Sequence, residues 1–299
     1  MPDTLLSASS SSANRRSLVI TFSLSALLAL YLFTRILQIL PFSTPSTFIV
    51  ALEIFSALLF ALIHGAQHYR LHGILVFAVI CLVIGNIVEN IGVLTGFPYG
   101  HYEFLPLMGP QFLRVPILLG IAYIGMAYVS WTLARLILGA TTTKPAGAQL
   151  IPLSLLAAVI MTAWDLAQDP VWSTLLHAWC WRDGGLWFGV PVTNYAGWLL
   201  TVFLIYVAFA LYLKHSAVGS LSPSQPHWRA TVLLYALCAV GNILQLLRPQ
   251  PFKVVADPSG ALWQTAAILH ASALVSMFFM GSLAIAASLR IPKVDSNNS

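Results

Sequence analysis

Residues 73–95 read GILVFAVICLVIGNIVENIGVLT. This apolar segment is as long as a transmembrane helix, which needs about 20 residues to cross the hydrocarbon core of a bilayer. It nevertheless carries a carboxylate, Glu89, toward its C-terminal end. An ionised side chain at that depth is costly, so such a residue usually faces a cavity, pairs with a partner or keeps its proton. The segment therefore predicts a membrane helix whose acid has a function or a partner.

The rest of the chain repeats this pattern. Of the 299 residues, 59% are hydrophobic and only 8% are charged, and the mean hydropathy is +0.85. We predict an all-α, polytopic membrane helical bundle whose spans are 18–40, 47–69, 73–95, 115–138, 150–172, 195–214, 228–248 and 263–289. Residues 1–17 are expected to form a disordered tail before a retained first helix, 18–290 a single transmembrane domain and 291–299 a C-terminal tail. Any chemistry must then occur between helices or in the loops that cap them.

The charges bear on partners and on topology. The formal net charge is +5 and the pI is near 9.2, but the basic residues are scattered singly. Because no basic cluster with interleaved aromatics exists, nucleic-acid binding is not expected. With the N-terminus inside, nine Lys and Arg residues fall on the cytoplasmic side and five on the other. This positive-inside bias predicts that both termini are cytoplasmic.

Two loops on the opposite side differ from the other connections. Residues 96–114 read GFPYGHYEFLPLMGPQFLR, and residues 173–194 read STLLHAWCWRDGGLWFGVPVTN. An interfacial aromatic belt fits their composition, and so does a pocket for a cation or a flat apolar ligand. The aromatic side chains concerned are Trp164, Trp172, Trp179, Trp181, Trp187, Trp198, Tyr99, Tyr102 and Phe104. We expect function to be concentrated on this face of the bundle.

A polar stripe lies at the end of the third predicted span. Asn86, Glu89 and Asn90 are three and four residues apart, so they share one helix face. Single polar residues in spanning helices often only join helices by hydrogen bonds. Three on one face, with a carboxylate among them, favour a functional cavity.

The fifth predicted span ends with two further acids. Asp165 and Asp169 are separated by one helical turn, and Pro170 then ends the regular helix. Two carboxylates this close in a medium of low dielectric cannot both ionise cheaply, so one keeps its proton. A retained proton is what a general acid needs. The alternative is helix capping with a salt bridge to Arg182 or Arg114.

Other ionisable residues have simpler interpretations. Glu53 is isolated in its span and is expected to pair with Arg35 of the preceding helix. The histidines at positions 64, 68 and 72 share a face, but without a nearby cysteine or carboxylate a metal site is not favoured. The three cysteines show neither a disulfide framework nor paired metal spacing. We expect no metal and no cofactor.

The same segments carry a family resemblance. The run from Glu89 to Tyr102, ENIGVLTGFPYGHY, resembles a motif of the carotenoid biosynthesis membrane family, which includes carotenoid 1′,2′-hydratases. A second motif resembles 165–170, DLAQDP, followed by Trp181, Trp187 and the run 189–198, GVPVTNYAGW. The resemblance covers about residues 75–200. Residues 248–253 match no motif of the family.

The resemblance implies hydration of a linear carotenoid end group without a cofactor. A proton must reach C2′, a tertiary cation must be held at C1′, and one water must be admitted. Asp169 or Asp165 is the implied acid, while Glu89 with its neighbours positions or deprotonates the water. The implied substrate-binding residues are Asn86, Asn90, Thr95, Tyr99, Tyr102, Trp172, Asn194 and Trp198. The implied partners are a carotenoid or other isoprenoid lipid and membrane lipids, in a multi-pass protein of a bacterial inner membrane.

Two other functions fit the residues. A magnesium-dependent prenyltransferase or terpene cyclase would use paired Asp-rich helix motifs. Asp165 and Asp169 supply one half of such a site, and Asn86 with Glu89 supplies at best a poor second half. A lipid or ion transporter would use the buried acids as a proton relay.

Overall fold

The structure, a computed structural model, describes residues 2–40, 46–140, 142, 144–216 and 225–292; of residues 2–14 and 16 it describes the backbone. Its α-helices are α1 Pro2–Leu37, α2 Thr47–Thr95, α3 Ile117–Ile137, α4 Leu150–Pro170, α5 Val192–His215, α6 Gln225–Leu244, α7 Thr265–Val275 and α8 Gly281–Leu289. Its strands are β1 Tyr102–Phe104, β2 Gln111–Phe112, β3 Val115–Pro116, β4 Trp179–Trp181, β5 Val254–Ala256 and β6 Leu262–Gln264. Turns of π-helix, Val171–Leu175 and Ser276–Met280, extend α4 and join α7 to α8.

The helices confirm the predicted all-α membrane bundle. Within the described residues, seven are long and apolar enough to cross a bilayer: Ser17–Leu37, Thr47–Thr95, Ile117–Ile137, Gly147–Leu175, Val192–His215, Gln225–Leu247 and Thr265–Leu289. The 49 residues of α2 would extend about 70 Å as one straight helix, more than twice the hydrocarbon thickness. The helix is interrupted at Arg70, whose φ of 57° and ψ of 168° are not helical. Its two halves correspond to the predicted spans 47–69 and 73–95.

The N-terminal segment begins with a long helix. The part of α1 that can span a membrane begins at Ser17, one residue before the predicted span. The helix itself begins at Pro2. Proline is accepted in the first turn of a helix, and no other Pro or Gly follows in this segment to stop it. The division into a tail, a transmembrane domain and a C-terminal segment stays a prediction.

Helix α3 is the centre of the bundle. In its membrane window 78% of the residues are buried, against 22% to 50% in the other spans. Helices α2 and α4 pack on α3, and α5 packs on both α2 and α4. The end of α3 that follows the loop 96–116 therefore lies at the meeting point of the helices that carry the predicted acids.

The two aromatic loops and the connection between α6 and α7 lie together at one end of the bundle. Strand β1 pairs antiparallel with β4, with Tyr102 opposite Trp181, and this pairing joins the first loop to the second. Strands β5 and β6 form a hairpin that lies on the second loop. A Cβ added at Gly189 would come within 3.1 Å of the Asp257 Cβ, so the second loop and the hairpin are in close contact. The loops thus form one cover over the helix ends.

Candidate active site

The two aspartates of α4 lie side by side in the protein interior. Asp165 is 4% exposed and Asp169 is 2% exposed. Asn194, in the first turn of α5, donates an amide N–H to Asp169 Oδ2 at 2.5 Å, and its nitrogen lies 3.5 Å from Asp165 Oδ2. Among the described residues neither aspartate has an arginine partner, since Arg182 pairs instead with the exposed Glu103. The arrangement differs from the capping and salt-bridge alternative.

The aspartates open into a cavity of about 70 Å³, here called the acid cavity. Its wall is largely apolar and includes four tryptophans, Trp164, Trp172, Trp179 and Trp198. The indoles of Trp172 and Trp179 stack with centroids 6.2 Å apart, and Trp164 meets Trp198 edge to face at 6.3 Å. Four of the aromatic residues singled out in the sequence therefore line a pocket beside the aspartates.

Glu89 is the third acid and accepts hydrogen bonds from two tyrosines. The Tyr102 hydroxyl donates to Oε2 at 2.5 Å, and the Tyr123 hydroxyl donates to Oε1 at 2.6 Å. Burial raises the pKa of Tyr102, and the adjacent Glu89 carboxylate raises it further. The Tyr102 hydroxyl consequently keeps its proton and serves as a donor. Both carboxylate oxygens of Glu89 are thus fixed in position.

A second, smaller cavity of about 20 Å³, the tyrosine pocket, lies between these groups. It is bordered by Glu89, Tyr99, Tyr102, Asp169, Asn194 and Trp198. Asp169 and Trp198 border the acid cavity as well. The structure therefore brings the predicted acids from α2 and α4 around two adjoining cavities.

Glycines at two helices hold Tyr99 in this pocket. A Cβ at Gly92 of α2 would lie 2.6 Å from Tyr99 Cδ2, and a Cβ at Gly197 of α5 would lie 2.6 Å from Cδ1. The ring is therefore wedged between two helices that can approach only because both positions lack a side chain. Its hydroxyl lies 2.7 Å from Thr201 Oγ1. The Trp181 indole donates to the Tyr99 carbonyl at 3.0 Å and ties the second loop to the first.

Three of the predicted site residues lie away from the two cavities. Asn90 donates its amide to Asn86 Oδ1 at 3.0 Å and accepts from the Arg114 backbone N–H at 3.2 Å. Asn86 borders a groove on the outer surface of the bundle. The Thr95 hydroxyl donates to the Ile91 carbonyl and accepts from a backbone N–H in the turn after α2. These hydrogen bonds stabilise the end of α2 and the loop that follows it. A role in substrate binding stays a prediction for Asn86, Asn90 and Thr95.

The predicted pairing of Glu53 with Arg35 is confirmed, and the structure adds a location that the sequence did not suggest. Arg35 Nη1 lies 3.2 Å from Glu53 Oε1, and Gln38 donates to the other carboxylate oxygen. The second terminal nitrogen of Arg35 donates to Asn242 Oδ1 at 2.6 Å. Glu53 also borders the acid cavity. A buried ion pair thus lies next to the site.

The histidines of α2 belong to another part of the bundle. His64 stacks on His227 with ring centroids 3.5 Å apart and lies 2.6 Å from the Tyr128 hydroxyl. Within the described part of the chain, no group of three or more His, Cys, Asp or Glu side chains is placed to hold a metal ion. The contacts of His64 are those of a packed, hydrogen-bonded core residue.

Comparison with known proteins gives the family. A model of the carotenoid biosynthesis protein family matches residues 47–256 of the 299. The chain belongs to this family. A bisanhydrobacterioruberin hydratase of Haloarcula japonica is 34% identical over 115 residues, which are 38% of this chain and 37% of that protein. No solved structure matches the chain.

Membership of the carotenoid biosynthesis family agrees with the membrane spans and confirms the resemblance seen in the sequence. The matched range includes both motifs and all four buried acids that border the cavities, Glu53, Glu89, Asp165 and Asp169. A multi-pass membrane protein of a carotenoid biosynthesis family follows. The bacterial inner membrane stays a prediction.

The sequence analysis did not identify Tyr123, which hydrogen-bonds to Glu89 at the candidate site. The side chain lies inside an apolar span, and its nearest partner, Glu89, is 34 residues away in the chain. Trp164 and Trp179 were recognised only as members of the aromatic group. A tyrosine with no polar neighbour in a spanning helix was the available signal, because its hydroxyl needs a partner when buried.

Proposed function

We propose that this chain is a carotenoid hydratase that adds water across the terminal 1′,2′ double bond of an acyclic carotenoid end group. The observation that carries the proposal is the pair Asp165 and Asp169, bridged by Asn194, at the wall of a tryptophan-lined cavity. An apolar alkene fits such a cavity, and an acid is the group it requires for hydration. The hydratase name of the Haloarcula japonica relative supports the same reaction.

The aspartate pair supplies the proton. Two adjacent carboxyls in a buried site share one proton more cheaply than they carry two charges. Because Asn194 donates to Asp169, the shared proton resides on Asp165. The O–H bond of Asp165 breaks as the π electrons of the alkene take the proton at C2′. The positive charge then develops at C1′, the more substituted carbon.

The tryptophans hold the cation. Trp164, Trp172 and Trp198 present aromatic surface to the acid cavity. The face of an indole attracts a cation through its quadrupole, with a larger gain where water is excluded. The same apolar wall keeps bulk water from the end group, so that the cation meets only an admitted water molecule.

Glu89 acts on the water. It faces the tyrosine pocket with its carboxylate oriented by Tyr102 and Tyr123. A lone pair of the water forms the C1′–O bond, and one water proton passes to Glu89. That proton returns to the aspartate pair through the tyrosine pocket, which Glu89 and Asp169 both border. One water is consumed, and the protein regains its starting state.

The proposal is tested by expression in a host that accumulates lycopene, with the pigment separated by chromatography and its mass measured. The wild-type chain should add one water to the end group. Asp165→Asn, Asp169→Asn and Glu89→Gln should abolish the gain. Asp183→Asn makes the same change in a carboxylate whose side chain is 80% exposed, and should leave the gain unchanged. Unaltered pigment with the wild-type chain and every candidate acyclic carotenoid would refute the proposal.

Two further measurements distinguish hydration from the other two functions. Activity in purified membranes should persist in EDTA, whereas a magnesium-dependent prenyltransferase or cyclase should stop. A transporter should move lipid or ions in proteoliposomes and leave the mass of the lipid unchanged.

A further inference from the structure

A long apolar groove lies on the membrane-facing surface between the second half of α2 and the start of α3. This α2–α3 groove has a volume of about 580 Å³. Its walls include Leu82, Val83 and Ile87 of α2, and Ile117 and Ile121 of α3. Leu82, Val83, Ile87 and Ile117 are between 41% and 54% exposed. In a bilayer this surface faces lipid chains.

Two glycines, Gly85 and Gly120, line the groove and leave space in it because they lack side chains. A Cβ at Gly120 would lie 3.1 Å from Leu82 Cδ2, and a Cβ at Gly85 would lie 3.7 Å from the Tyr123 ring. Larger residues at these positions would occupy space that now lies open beside Tyr123. The two glycines therefore leave room in the groove close to the side chain that also belongs to the site.

The groove is separated from the site by a thin wall. Glu89 borders the α2–α3 groove on one side and the tyrosine pocket on the other. Tyr123 borders the groove, and its ring stacks on Trp198, which borders the acid cavity. Membrane-facing surface and catalytic side chains are thus only one layer of side chains apart.

We infer that the α2–α3 groove binds the polyene chain of the carotenoid while the end group is in the acid cavity. This inference rests on the proposed function. A carotenoid is a long, linear and wholly apolar molecule, and the acid cavity has room for only one end of it. The rest of the chain must leave the site along apolar surface, and the groove is such a surface, one layer of side chains from the site at Glu89. The end group passes beside Tyr123 and Glu89.

Substrate length provides the first test. Ile87→Trp places a large side chain in the groove. Ile91→Trp makes the same change one turn nearer the outer loops, outside the groove and at similar exposure, 42% against 54%. For lycopene, Ile87→Trp should raise KM at least tenfold and Ile91→Trp should not. For a short acyclic isoprenoid with the same terminal alkene, neither variant should differ from wild type. Equal KM values for lycopene in the two variants would overturn the inference.

Direct contact provides a test that does not depend on activity. Phe112, which lines the groove, or Phe97, which does not and has similar exposure, 66% against 62%, is replaced by p-benzoylphenylalanine, and membranes loaded with lycopene are irradiated. A lycopene adduct should form at position 112 and not at 97. An adduct at 112 without any hydration would support the groove while refuting the hydratase. Hydration without an adduct at 112 would refute the groove alone. Ile117→Trp, from the opposite wall, repeats the kinetic test if Ile87→Trp does not fold.

Discussion

The ring of Tyr123 lies parallel to the indole of Trp198, with centroids 4.8 Å apart and an interplanar angle of 3°. This stack joins α3 to α5, while the Tyr123 hydroxyl donates to Glu89 of α2. One side chain therefore connects three helices at the candidate site. The Tyr123 ring packs on Trp198 and the hydroxyl orients Glu89, so a substitution that removes only the hydroxyl tests the hydrogen bond alone.

Tyr123→Phe should keep the stack and lose the hydrogen bond. A hydrogen bond to a charged group is worth about 1.5–3 kcal/mol, so hydration per unit of protein should fall by about tenfold to a hundredfold. Protein amount in the membrane should stay near that of wild type. Pigment conversion normalised to an immunoblot provides the measurement.

Tyr235→Phe is the matched control for that experiment. Its buried hydroxyl donates to the Ile160 carbonyl at 2.9 Å, away from the two cavities. It should leave conversion per unit of protein unchanged. Equal conversion by Tyr123→Phe and wild type would contradict the role given to Tyr123.

The buried ion pair of Arg35 and Glu53 should matter for stability. Their side chains are only 3% and 9% exposed. Removing one partner of a buried pair costs about 3–5 kcal/mol, because the other charge stays buried alone. Arg35→Gln should therefore lower the thermal midpoint in detergent strongly. The double variant Arg35→Gln with Glu53→Gln should recover part of that loss.

An exposed pair offers the comparison. Arg182 and Glu103 lie 3.4 Å apart with side chains 66% and 48% exposed. Exposed pairs contribute about 0–1 kcal/mol, so Arg182→Gln should hardly change the midpoint. A smaller effect for Arg35→Gln than for Arg182→Gln would show that the pair does not stabilise the fold.

Gly197→Ala should disturb the packing of Tyr99. The new Cβ would lie 2.6 Å from the Tyr99 ring and 3.0 Å from Pro98 Cγ. Overpacking of this kind costs about 1–3 kcal/mol, and the displaced ring would alter the tyrosine pocket. Both the thermal midpoint and hydration should fall.

Gly147→Ala is the corresponding neutral change. No heavy atom lies within 4 Å of a Cβ built at Gly147, so the substitution should be harmless or slightly stabilising. If Gly197→Ala and Gly147→Ala behaved alike, the close approach of α5 to Tyr99 would not matter for the site.

Features that depend on residues close together in the chain were predictable from the sequence. Span lengths follow from hydropathy, and the spacing of Asp165 and Asp169 places them together on one helix whatever the rest of the bundle does. The pairing of Glu53 with Arg35 was predictable because each is an isolated charge in an adjacent span, with few other partners. These local arguments gave the fold and the acids.

Contacts between distant segments were not predictable in the same way. Helical periodicity placed Asn86, Glu89 and Asn90 on one face, but it could not show that the asparagines bond to each other and to the first loop. The hydrogen bond from Tyr123 to Glu89 depends on how α3 packs against α2. The position of Glu53 at the acid cavity likewise depends on the packing of α2 beside α4. Such relations require the tertiary structure.

The outer hairpin supplies a prediction about pH. Asp257 accepts hydrogen bonds from the Ser259 and Ala261 backbone N–H groups and from the Trp263 indole, at 2.9, 3.1 and 2.8 Å. Burial alone would raise the pKa of Asp257, but these hydrogen bonds together hold it below the ordinary value. A carboxyl whose folded pKa is depressed stabilises the fold above its unfolded pKa of about 3.9. That contribution is lost as the pH falls through the folded pKa.

Asp257→Asn should therefore be less stable than wild type at neutral pH, and the difference should shrink as the pH is lowered below about 4. The expected readout is the thermal midpoint in detergent, together with the rate at which a protease cleaves the hairpin. Asp183→Asn, at the same end of the bundle but 80% exposed, serves as the control, and it should lower the midpoint at neutral pH far less than Asp257→Asn does. A difference between Asp257→Asn and wild type that stays constant down to the lowest pH would mean that the carboxylate form of Asp257 does not stabilise the hairpin.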